Sequence, residues 1–367
     1  MKSLSKSVLF ILSVLILTGC WDQKLLKDGM MMVGFGLDSG EDKEYRTTIV
    51  IRSLEQAAAG NIEYNLTLDA TSNSLTEARK IIDAKLAGKL RTGKVRVALF
   101  GEELAKKELY DILDFVYRDP ENSLNTRVAI VEGKASEVIN VKRVQGTLIS
   151  EHLDKIIESA EKETVVPIIS VQLLCTYLFD DTLDFGVPLI IQKEESPPIE
   201  IAGTALIHNR KYTGEYLNLE ESTLALLMND QPSKRAIFSL HPEEEEGKPI
   251  GLNVITNERK MKVNVEGDTV EVRIQSRMKG AIHEYPAGAV KPKREQLNEE
   301  ISNMMTKKAE QVIEKIQKSN CDYFGIGRKL ASYHPETWKK MNWEEDYKEV
   351  KIIPEIEVEI VDSGLLD

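Results

Sequence analysis

Apolar and polar positions change their spacing several times along this chain, and each change marks an element. Val8 to Leu17 is an apolar run preceded by Lys2 and Lys6, the layout of an export signal. The twelve residues from Val8 to Gly19 fall short of the roughly 20 that span a bilayer. After it, residues 30–38 and 44–53 read as two strands, the second placing Tyr45, Thr47, Ile49 and Ile51 on one face, with a turn at residues 40–43. Residues 74–89 change to helical spacing: Ser74 and Glu77 form a capping box, and Leu75, Ala78, Ile82 and Leu86 line one side. A strand (94–101), a helix (102–119), a strand (126–133), a short helix (134–139), a helix pair (about 147–163 and 169–180) and a strand (187–194) follow. Strands alternating with helices predict an α/β layer with some parallel pairing.

Residues 193–201, with Pro197 and Pro198 among charges, read as a linker. Residues 199–230 then give strand, turn, strand and helix, with strands at 234–240 and 251–259, which suggests a smaller middle unit. From Met261 a hairpin turns at Glu266, Gly267 and Asp268, with Val270, Val272 and Ile274 on a common face. A long amphipathic helix follows, striped by Leu297, Ile301, Met304, Met305, Val312, Ile313 and Ile316 and ended by Asn320. Val350, Ile352, Ile356, Val358 and Ile360 alternate in a last half-buried strand, which Pro354 bends or places near an edge. The fold class expected is mixed α/β or α+β in three domains: residues 20–195, 199–259 and 260–367, after a signal at 1–19.

The signal ends in Leu17-Thr18-Gly19-Cys20, which resembles the lipobox of bacterial lipoproteins. There a diacylglycerol is joined to the cysteine sulfur and the peptide is cut just before it; only a thiolate can accept that lipid. The competing reading is a plain secretory signal in which Cys20 is incidental. Two acyl chains anchor a protein stably where one does not. Charge changes the picture further. The net charge is −12, and losing Lys2 and Lys6 leaves −14, a surface repelled by nucleic acid and by anionic headgroups. Membrane contact is then expected from the lipid anchor, and nucleic acid is not an expected partner. No later segment has eighteen consecutive apolar residues. Of the other cysteines, Cys175 reads as a small buried hydrophobe, while a bridge between Cys175 and Cys321 stays open.

Candidate chemistry is sparse. Gly34 and Gly36 match the first two glycines of a dinucleotide fingerprint, but the third position is Ser39 and the segment turns into another strand instead of opening a helix. Gly325 and Gly327 precede a helix without a strand immediately before them, and read as tight packing of a turn. The five histidines show no metal spacing, and there is no Cys-x-x-Cys, no Gly-x-Ser-x-Gly and no Walker sequence. The acidic run Glu243 to Glu246 reads as a solvated loop. The expectation is no catalytic residue, no cofactor and no metal.

Several stretches together resemble the Ger(x)C family, the lipoprotein C subunits of spore germinant receptors: the Gly-Cys-Trp-Asp start at 19–22, residues 99–139, residues 203–216, and residues 320–347 with Cys321, Asp322, Phe324, Gly325, Gly327, Pro335, Trp338 and Trp343 in step. The resemblance implies a non-catalytic protein on the outer face of the spore inner membrane, beside integral-membrane A and B subunits, in a complex responding to small nutrients. It leaves direct nutrient binding by this subunit open and carries over one residue, Cys20, as the lipid-bearing position. Trp21 would rest at the headgroups or pack on the first strand; Trp338 and Trp343 would belong to the core or contact a partner. The alternatives are a solute-binding lipoprotein of a transporter, with two similar lobes around a cleft, and a tethered hydrolase.

Overall fold

The computed structural model describes residues 29–41, 44–57, 60–107, 109–194, 198–241, 249–267, 269–285 and 294–362. The signal, Cys20, Trp21, Pro197 and the run Glu243 to Glu246 lie outside the described residues.

β1 (Gly29–Ser39), β2 (Tyr45–Ala57) and β3 (Gly60–Ser72) form an antiparallel meander. α1 (Leu75–Asp83) begins at Ser74, whose hydroxyl accepts the Glu77 N–H at 3.2 Å, and stops at Ala84, shorter than its apolar spacing predicted. β4 (Lys89–Arg91) and β5 (Val97–Gly101) pair in parallel with β1. The helix expected over 102–119 is two pieces, α2 (Glu102–Ala105) and α3 (Tyr110–Arg118), which carry the chain over to β6 (Arg127–Val131), parallel to β5. α4 (Ala135–Asn140), the ribbon β7 (Arg143–Val144) and β8 (Thr147–Leu148), α5 (Ile149–Lys162) and α6 (Val171–Leu178) lead to β9 (Phe185–Gln192), parallel to β6. β10 (Ile199–His208) and β11 (Lys211–Leu217) then fold back antiparallel, giving the order β11-β10-β9-β6-β5-β1-β2-β3 with β4 also on β1.

The sheet is covered on both faces. In β5, Ala98 and Phe100 face the core under α1, α3 and α6, whereas Val97 and Leu99 face the core under α4 and α5. That double burial accounts for the unbroken apolar reading of β5 and β6.

α7 (Leu219–Met228) opens on a reciprocal capping box: Asn218 accepts the Glu221 N–H at 3.0 Å and Glu221 accepts the Asn218 N–H at 2.8 Å. A second sheet follows, in the order β12 (Ala236–Leu240), β13 (Ile250–Glu266), β14 (Thr269–Glu284) and β15 (Lys351–Asp362). Between its last two strands run α8 (Arg294–Lys318), α9 (Ile326–Tyr333), α10 (Pro335–Trp338), α11 (Trp343–Asp346) and one 3-10 turn (Tyr347–Glu349). Leu297, Ile301, Met305, Val312, Ile313 and Ile316 of α8 are buried as the stripe predicted, with Ala309 added and Met304 half-buried. Among the described residues β15 pairs only with β14, the edge position that Pro354 suggested. Three of its outward N–H groups are taken up by α8. Asn298, Ser302 and Thr306, one turn apart along α8, accept the N–H groups of Ile360, Val358 and Ile356 at 2.9, 2.9 and 3.2 Å. A helix face thus seals a strand edge that would otherwise invite pairing.

The expected unit boundaries cut across paired strands. Residues 193–201 connect neighbours of one sheet: Ile199 lies opposite Gln192, and the Lys193 N–H donates to the Pro198 carbonyl at 2.8 Å. Charge and proline mark a solvated reversal as readily as a linker. The 259/260 boundary falls inside β13. Among the described residues the segment 199–259 has no sheet of its own, since β10 and β11 complete the large sheet while β12 and part of β13 build the second. Leu206 and Leu217 of the large sheet share one core with α7, α8 and the second sheet.

Candidate functional site

The turn from β10 to β11 consists of Asn209 and Arg210, both with positive φ (45° and 66°), the backbone a tight two-residue hairpin requires. It brings His208, at the end of β10, beside Asp184, just before β9. Asp184 Oδ1 accepts the Asn209 N–H at 3.1 Å; Oδ2 lies 2.8 Å from His208 Nδ1 and accepts the Asp322 N–H at 2.7 Å. The other ring nitrogen of His208 is 3.0 Å from Glu344 Oε1. Asn320, in the left-handed region at φ 58°, ends α8 as expected, and its Nδ2 donates to the Glu344 carbonyl at 2.8 Å.

The next two residues continue this junction. Cys321 is buried with its sulfur 3.3 Å from the Ile207 carbonyl, while the Tyr347 hydroxyl donates to the Cys321 carbonyl at 2.9 Å. The buried Asp322 carboxylate accepts the Ile326 and Gly327 N–H groups at 2.8 and 2.6 Å, where the positive end of the α9 dipole favours an anion. Gly325 reaches φ 66° to start α9, and a Cβ on Gly327 would lie 2.6 Å from Trp343 Nε1 and 3.1 Å from Trp338 Cζ3. This glycine pair does serve close packing. Trp338 and Trp343 lie 5.5 Å apart between ring centres, half-buried against the core.

The electrostatics tie these groups to one another. Burial works against a charge on His208, but the Asp184 and then the Glu344 carboxylates outweigh it and raise its pKa to about 9. Burial raises the Asp322 carboxyl to about 7 against the pull of its two N–H donors. The Cys321 thiol is pushed well up by burial and by the nearby Asp184 and Asp322, the opposite of an activated nucleophile. Cys175 and Cys321 are both buried, in separate cores, and do not bridge, so the bridge left open by the sequence is not formed. Beside the junction lies a cleft of about 420 Å³ lined by Tyr177, Phe185, Asn229, Tyr323 and Arg328 among others.

The other glycine motif is structural as well. Gly36 lies under α4, where a Cβ would meet Ile139 Cδ1 at 2.7 Å, and the N-terminus of α4 is occupied by Asp38, which accepts the Ala135 and Ser136 N–H groups at 2.7 and 2.9 Å. The Cys20 expectation falls on residues outside those described. Sequence spacing did not single out Asp184, His208 or Glu344 together, because they lie 24 and 136 residues apart; the signature at 320–347 was the one available pointer.

Two family models match nearly end to end. The "Spore germination protein N-terminal domain" matches residues 22–192, and "Spore germination B3/ GerAC like, C-terminal" matches residues 202–364, including the whole junction segment. The chain belongs to the Ger(x)C family. Among Ger(x)C relatives, Spore germination protein KC of Bacillus subtilis (strain 168) is 21% identical over 387 residues, covering 96% of this chain and 93% of that one. Spore germination protein GerQC of Bacillus cereus is 23% identical over 363 residues, covering 98% and 99%. The crystal structure of the GerBC protein shares the fold, with a TM-score of 0.60 at 16% identity over 89% of this chain and 97% of that one. The mixed sheet-and-helix class expected from the sequence is therefore the Ger(x)C fold.

Proposed function

We propose that this chain is a lipid-anchored, non-catalytic subunit of a nutrient germinant receptor. Cys20 holds it to the outer face of the spore inner membrane, and it acts in nutrient-triggered germination by contact with integral-membrane A and B subunits. The observation that carries this reading is the pair of spore germination matches running from residue 22 to 364, directly behind the lipobox cysteine. A two-chain lipid anchor keeps the protein at the membrane and raises its effective concentration beside membrane partners, so that individually weak contacts suffice. The junction supports a non-catalytic role: His208 is held between two carboxylates and Cys321 is buried, so neither is free to act as base or nucleophile. The solute-binding alternative calls for two similar lobes, whereas the large sheet and the four-stranded sheet differ in strand number and order.

Cys20→Ala removes the lipid acceptor. The expected result is release of the protein from spore membranes and loss of nutrient-triggered germination. Normal germination with a fully soluble variant would refute the proposal.

A further inference from the structure

β2 and β3 stay paired to the end of their hairpin, from Tyr45↔Ser72 to Ala57↔Gly60. β1 accompanies β2 only as far as Met31↔Arg52. β1 itself continues two residues further, to Gly29, where it pairs with β4, so the ribbon leaves β1 beyond Arg52 and runs past its start by about 10 Å for the last three residues of β2 at the rise of an extended strand. It carries Leu54, Ile62 and Tyr64, which are 62%, 52% and 39% exposed. Its base is braced: Arg52 pairs with Glu63 at 2.6 Å, and Arg143 of β7 donates to the Glu63 carbonyl at 2.7 Å. Leu54 and Ile62 are thus presented more than half to solvent, while Tyr64 is partly covered.

The register also fixes where this ribbon points relative to the chain's start. β1 runs antiparallel to β2, so Gly29 lies at the same end of the sheet from which the ribbon projects. Cys20 is nine residues before Gly29, and nine residues reach at most about 30 Å. If Cys20 carries the lipid, the ribbon emerges on the side of the protein that the tether draws to the bilayer.

From this placement we infer that the β2–β3 hairpin is a second membrane contact, dipping Leu54, Ile62 and Tyr64 into the interfacial region of the lipid. The inference rests on the anchoring read at Cys20. Cross-strand partners share a face. Ile62 opposite Glu55 and Tyr64 opposite Ser53 therefore lie on one face, and Leu54 opposite Glu63 lies on the other. Tyrosine is suited to the headgroup level. The acidic body, at net −14 without the signal lysines, has no electrostatic attraction to an anionic leaflet, which leaves apolar insertion as the source of contact. Anchor and hairpin together hold the molecule at two points and define which face it turns to its surroundings.

The test uses the full-length, lipidated protein on vesicles of phosphatidylethanolamine and phosphatidylglycerol. With Cys175 and Cys321 buried and Cys20 acylated, the single variants Leu54→Cys and Ile62→Cys take an environment-sensitive fluorophore selectively. Thr71→Cys, exposed near the other end of β3 and about 30 Å along the strand from Ile62, is the control. The expected result is blue-shifted emission, quenched by spin-labelled lipid, at 54 and 62 but not at 71. Protein that floats with the vesicles while 54 and 62 respond no more than 71 overturns the hairpin contact and leaves the anchor standing. Protein that fails to float refutes the anchor and takes the hairpin inference with it.

Discussion

Replacing His208 with glutamine tests the junction's electrostatics directly. In the folded protein the imidazolium is held by Asp184 at 2.8 Å and Glu344 at 3.0 Å, raising its pKa to about 9, against about 6.5 in an unfolded chain. Because the folded value is the higher, the stabilisation is complete below about pH 6.5 and disappears as pH rises through about 9. That separation corresponds to roughly 3 kcal/mol at about 1.4 kcal/mol per tenfold change in proton affinity. Glu344 is 59% exposed, and screening of that partner reduces the expected amount to about 2 kcal/mol. Asp322 also loses stability with rising pH, but its window runs from the ordinary 3.8 to about 7, and the loss from the raised Cys321 thiol is common to both proteins, so the difference between them from pH 7 to 10 reports on His208. Trp343 lies 5.4 Å from Tyr347 between ring centres, so tryptophan fluorescence in urea follows the junction. The wild-type unfolding free energy should fall by about 2 kcal/mol more than that of His208→Gln across this range. Parallel pH profiles for the two proteins would show that the histidine is not held as a cation.

Two further substitutions probe the same segment. Asp322→Ala leaves the Ile326 and Gly327 N–H groups without their acceptor and should cost about 3 kcal/mol in chemical unfolding at pH 7; a loss below about 0.5 kcal/mol contradicts the capping role. Gly327→Ala sets helix propensity, favouring alanine by about 1 kcal/mol, against a Cβ 2.6 Å from the Trp343 ring. Overpacking of about 1–3 kcal/mol wins, so the melting temperature should fall and tryptophan emission should shift; a higher melting temperature refutes the packing argument.

Local chemistry was legible in the sequence where it acts over a few residues. Ser74 caps α1, Asn320 ends α8, and the alternation along β15 matches its buried side. β3 was equally legible, since Ile62, Tyr64, Leu66, Leu68 and Ala70 alternate with Asn61, Glu63, Asn65, Thr67 and Asp69, yet the elements expected from the sequence omitted it. The polar run Asn257 to Lys260 looked like the end of a unit, but β13 continues through it, since its cross-strand pairing with β14 does not depend on apolar side chains. The junction was visible only as a family-like stretch at 320–347. Its chemistry is completed by Asp184 and His208 from the other sheet, and no spacing rule connects residues more than a hundred positions apart.

The 136 residues separating His208 from Glu344 also set an order of events. At ribosomal speeds of roughly 5–20 residues per second, the chain waits on the order of ten seconds between producing the large sheet and producing the segment that closes against it. Until then Asp184 and His208 face water at an unfinished seam, and residues 320–347 act as the bolt that secures both sheets. Damage near the carboxyl end would therefore be felt at the opposite sheet, in strands synthesised long before it.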